Sequence, residues 1–110
     1  MTLSTDVLAD AVRDAQDKHA ALIVSEANEG AILIAYRAVM VALARLAVDS
    51  GEDEMQALYE IEDTEAAILA CLARWGIDSE LLAEVREAFK TDPDRALALA
   101  ADLGCTEVGS

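Results

Sequence analysis

The chain has 110 residues, enough for one domain and no second, and a composition that is 55% hydrophobic but 4% aromatic argues against disorder. Alanine and leucine supply most of the apolar mass, so the composition points to helices. Formal net charge is −14, from 22 acidic against 8 basic residues, a field that repels phosphate backbones and excludes direct nucleic-acid binding.

Ser4, Thr5 and Asp6 offer caps for a first helix, whose apolar positions Val7, Leu8, Ala11, Val12 and Ala15 recur at helical spacing. Helical character continues through Leu22, Ile23 and Val24 into Ala31 to Val48, with Gly30 as the weak point. The expectation is one long helix or two nearly collinear ones, closed at Asp49-Ser50-Gly51. Glu26, Glu29, Arg37 and Arg45 make this apolar stretch costly in lipid, so it reads as a core helix with no membrane partner. The next helix is expected from about Met55 to Trp75, ended by Gly76. Asp78 or Ser79 caps a fourth that runs to about Lys90, and Asp92-Pro93 opens a short last helix that Gly104 ends. The predicted fold is therefore all-α: one domain over 1–110, an antiparallel bundle of four main helices plus a short C-terminal helix. Ala31 to Val48 is apolar nearly all round, which one small bundle covers poorly, so a homodimer or tetramer is expected.

The amino terminus lacks the basic and apolar segments of a secretory signal, so the expected location is cytoplasmic, with Cys71 and Cys105 as reduced thiols. His19 has no ligand partner at helical spacing and reads as structural.

Most acids fall at helix starts and on polar faces. Two couplets do not: Glu26 and Glu29 lie three apart among Leu22, Ile23, Ile32 and Leu33, and Glu60 and Asp63 repeat that spacing among Leu58, Ile61 and Ile68. On a helix this spacing puts both carboxylates on one face, one turn apart. Four inward carboxylates would need a positive charge among them, and magnesium, an ion that takes oxygen ligands, is the natural one, with manganese as its substitute. The bland alternative is that both couplets are solvated acidic faces.

The runs Glu26-Ala27-Asn28-Glu29 and Glu60-Ile61-Glu62-Asp63 resemble the paired E-x-x-E and E-x-x-D motifs of the MazG-like all-α nucleoside triphosphate pyrophosphohydrolases. The turn Trp75-Gly76-Ile77-Asp78 is similar to the one after that family's second motif, and the likeness spans roughly 19–90. Ser25 stands where many members have a further glutamate, and the gap between the motifs is longer. The resemblance implies that Glu26, Glu29, Glu60 and Asp63 bind magnesium. The ion would activate a water that cleaves a nucleotide between its α and β phosphates, releasing pyrophosphate and the monophosphate. Arg37, Tyr59 and Lys90 are the candidate substrate contacts.

Chain geometry sets a condition on this reading. If the chain reverses directly at Gly51, the couplets stand about 18 Å out of level at about 1.5 Å per residue. They meet only if the segment from about Leu46 to Gln56 runs back along the bundle, or if a partner chain supplies one of them. Two rival readings are an acidic interaction protein, such as an inhibitor that imitates nucleic acid, and a helical adaptor without catalysis. Inward carboxylates favour the enzyme, outward ones the rivals.

Overall fold

The computed structural model describes residues 5–105, which form α1 (Thr5–Val24), α2 (Glu29–Ser50), α3 (Met55–Arg74), α4 (Ser79–Thr91) and α5 (Pro93–Asp102), with no strand among them. The protein is the expected all-α bundle, with α1 packed along α2, α2 along α3, and α4 against α5. The proposed cap at Ser4 lies outside the described residues.

The expectation of a continuous or collinear first helix is wrong. Helix α1 stops at Val24, and the chain turns back through residues 25–28 so that α2 packs on α1. His19 of α1 consequently reaches Tyr36 of α2, their ring centroids 5.5 Å apart. Two hydrogen bonds close the turn: Glu26 N donates to Ile23 O at 3.1 Å and Ala27 N to Leu22 O at 2.9 Å. Asn28 then caps α2, its Oδ1 accepting from Gly30 N at 2.8 Å.

The same device recurs between α3 and α4. There Ile77 N donates to Leu72 O at 3.2 Å and Asp78 Oδ1 accepts from Glu80 N at 2.8 Å. The two capping residues share one backbone conformation, φ −52° and ψ 138° at Asn28 against −53° and 138° at Asp78. Each turn needs a left-handed residue two positions before its cap: Gly76 supplies φ 82° without strain, while Glu26 is forced to φ 56°. A glycine announces the second turn in the sequence, and a glutamate conceals the first.

The tightest core joins the carboxy-terminal half of α3 to α4 and α5. Ile68 and Leu72, one turn apart on α3, are fully buried and share a cluster with Val85, Ala88 and Phe89 of α4 and with Ala96 and Ala100 of α5. Burying side chains of the Leu or Ile class contributes about 1.5–3 kcal/mol each, so this cluster anchors the hairpin α4–α5 to the rest of the chain. Asp92 caps α5 by accepting from Arg95 N at 3.3 Å, with Pro93 in the first turn, as its sequence requires.

Candidate functional site

The four candidate carboxylates occupy different surroundings. Glu26 lies in the α1–α2 turn, outside any helix, and is exposed. Glu29 is the first residue of α2. The expected sharing of one helix face by Glu26 and Glu29 is therefore overturned, because the left-handed turn at Glu26 separates the two. Glu60 and Asp63 do lie three apart on the continuous helix α3, Glu60 half-buried and Asp63 exposed.

Glu29 is engaged by α3. Arg74 Nη2 lies 2.9 and 2.8 Å from its two carboxylate oxygens, and Cys71 Sγ donates to Oε2 at 3.8 Å. The Glu29 and Arg74 side chains are about 60% exposed, so solvent screens the pair and it adds little to stability. Burial, then the negative charge of Glu29, pushes the Cys71 thiol above its ordinary value. Burial, with a smaller effect from Cys71, pushes the Cys105 thiol up to about 11. Both thiols stay protonated at neutral pH and are free of disulfide bonding.

Glu60 faces α2 instead. Its Oε2 accepts from the Tyr36 hydroxyl at 3.2 Å and its Oε1 from Gln56 Nε2 at 3.4 Å. Burial first, then the hydrogen bond to Glu60 and its charge, raise the Tyr36 hydroxyl above its ordinary value. Glu29 thus stands level with Cys71 and Arg74, eleven to fourteen positions farther along α3 than Glu60. At about 1.5 Å per residue the couplets are separated by roughly 16–21 Å along the bundle. The chain reverses directly through residues 51–54, so the run-back that would have brought them level does not occur. Within one chain the two couplets therefore stand apart, Glu29 beside Cys71 and Arg74 and Glu60 beside Tyr36.

The candidate substrate contacts are equally dispersed. Arg37 is buried, its Nε donating to Glu65 of α3 at 2.8 Å and its guanidinium 5.8 Å from the Phe89 ring centroid. That cation is committed to the interior. Tyr59 is exposed on α3, and Lys90 is exposed in the last turn of α4, where a cation suits the helix dipole.

Two features escaped the sequence reading. Arg74 reaches Glu29 across a separation of 45 residues, which no local pattern encodes. A groove of about 250 Å³ at the α2–α3 hairpin collects Met40, Leu43, Leu46 and Ala47 with Glu52, Asp53, Gln56, Ala57 and Glu60. The acidic run at residues 52–54 was its only sequence signal. A second, larger groove of about 390 Å³ runs between α1, α2 and α5, and its lining is almost wholly apolar, with Lys18 as the one charged residue.

Glu26 provides a direct test of this geometry. A non-glycine residue in the left-handed region costs about 1–2 kcal/mol, part of which glycine gives back through its freer unfolded chain. Glu26→Gly is expected to stabilise the protein by about 0.5–1 kcal/mol in urea unfolding. A loss of stability would show that the carboxylate makes a contact worth more than the strain.

No protein-family model, curated protein or solved structure matches the chain.

Proposed function

We propose that this protein is a non-catalytic helical interaction module that self-associates through α2. The observation that supports it is the mismatch between that helix and its cover. An 18-residue window of α2 has a mean hydropathy of 2.0, yet only 22% of its residues are fully buried within the chain and most of the others are half-buried. By length and composition such a helix could also cross a membrane. The ion pair of Arg37 with Glu65 and the exposed Arg45 favour a protein partner over lipid. Helices α4 and α5 reach α2 near Leu33, Ile34 and Arg37. Farther along, Ala38, Arg45 and Val48 are exposed, and Val41 and Ala42 are half-buried. A stripe of small apolar residues interrupted by one arginine fits a second copy of this acidic chain, because arginine is a strong interface anchor and carboxylates abound.

Sedimentation equilibrium tests this reading. The wild type is expected to exceed its monomer mass of 11.7 kDa at tens of micromolar, and V41K/V48K to remain a folded monomer. A wild type that stays monomeric throughout overturns it.

The pyrophosphohydrolase reading keeps one supporting observation, the shared face of Glu60 and Asp63 on α3. It requires a second copy to bring the Glu29 end of one chain to the Glu60 end of another. Pyrophosphate release from a nucleotide panel with magnesium or manganese, lost in E60Q and D63N, would establish it over the non-catalytic reading. No turnover with any nucleotide removes it.

A further inference from the structure

We infer that the groove at the α2–α3 hairpin is a docking site for a basic amphipathic helix of a partner protein. The inference rests on the reading of the chain as an interaction module and gives it a second, chemically distinct surface. The floor is apolar and adaptable: Met40, Leu43 and Ala47 recur at helical spacing along α2, with Leu46 and Ala57 beside them. The rim is acidic. Glu52 and Asp53 from the connecting loop and Glu60 from α3 border the same groove, and no basic residue lines it.

Charge complementarity selects the occupant. In a chain of net charge −14 this groove excludes anionic ligands, and a helix with leucine-like anchors on one face and lysine or arginine on its flanks satisfies floor and rim together. The volume of about 250 Å³ accommodates one or two large side chains, the scale of a helix anchor and smaller than most cofactor sites. Long basic side chains suit the rim because their methylenes lie on the apolar floor while their charged ends reach the carboxylates. Exposed Met55, Leu58 and Tyr59 on the first turns of α3 extend the apolar surface beside the groove.

The rim acids can be neutralised with little change to the groove's shape. Glu52 is exposed, Asp53 accepts from Met55 N at 2.9 Å at the start of α3, and Glu60 receives Tyr36 and Gln56. Asparagine at 53 keeps the acceptor for Met55 N and glutamine at 60 keeps one for Tyr36, so E52Q/D53N/E60Q removes the charges and gives up only the Gln56 contact.

The test uses a fluorescent synthetic peptide of about eighteen residues, long enough for a helix, with leucine on one face and lysine on the other. Its control is a peptide of the same composition scrambled so that the faces are lost. Binding by anisotropy is expected for the amphipathic peptide and to weaken as salt rises from about 50 to about 300 mM. E52Q/D53N/E60Q should lose about tenfold or more in affinity. D6N/D14N/D17N, which removes as many charges from exposed positions of α1, should lose less than about twofold. Equal losses in the two triple variants, or equal binding of the scrambled peptide, overturn the inference, because the acidic field alone would then explain the attraction. Sedimentation of E52Q/D53N/E60Q in parallel shows whether self-association persists, which separates failure of this groove from failure of the α2 interface.

Discussion

Glu65→Leu is expected to lower the stability of the protein by about 2–4 kcal/mol, because it strands the Arg37 guanidinium in the interior. The Arg37 and Glu65 side chains are only 11% and 19% exposed, and Nε donates to Oε2 at 2.8 Å. Fully buried pairs cost somewhat more to break, and the remaining solvent contact here reduces the figure. Arg37 cannot leave easily, since its helix is held by α1 on one side and α3 on another. Among the described residues Glu65 is the acid paired with Arg37. Two measurements separate charge stranding from lost packing. Urea unfolding of Glu65→Leu gives the cost of the unpaired cation. The double variant R37L/E65L should then recover most of it, because a buried ion pair replaced by apolar side chains of similar volume is often neutral in stability. Failure of the double variant to recover would place the cost in packing around Phe89 instead.

Gly30→Ala is expected to be the second large effect, at about 1–3 kcal/mol, although alanine is the better helix former. A Cβ at position 30 would stand 2.3 Å from Cys105 Sγ, 2.9 Å from Cys105 Cβ and 3.1 Å from Asn28 Oδ1. Cys105 lies three residues past the end of α5, with its N–H bonded to Ala100 O at 3.0 Å, so its Cβ cannot move without straining that link to the helix. The absent side chain at Gly30 is what lets Cys105 lie against the start of α2. Cys105→Gly in the Gly30→Ala background removes both close sulfur and carbon atoms and is expected to restore a large part of the loss. Thermal unfolding of the two single variants and the double variant reads the coupling, and strict additivity would show that the clash is relieved elsewhere.

These two positions show how unevenly the sequence carries the structure. Helices α3, α4 and α5 were legible to within a residue or two because glycine, proline and capping aspartates punctuate them: Gly76, Asp78, Asp92 and Pro93. The break after Val24 was not, because Glu26 adopts a left-handed conformation that glutamate rarely accepts, and the weak point legible in the sequence was Gly30, inside the new helix. The turn at Glu26 undid the first carboxylate couplet, whose proposed alignment assumed an unbroken helix.

Local propensity, periodicity and charge decided that the chain is an acidic all-helical bundle with an unusually apolar second helix, since these properties depend on neighbours a few residues apart. The tertiary structure alone decided that Glu29 meets Arg74, that Arg37 meets Glu65 and that Glu60 meets Tyr36. Such partners lie 24 to 45 positions apart, and their meeting follows from where the chain reverses and how the hairpins align. A carboxylate's chemistry is set by what faces it across the bundle, and one-dimensional spacing does not contain that information.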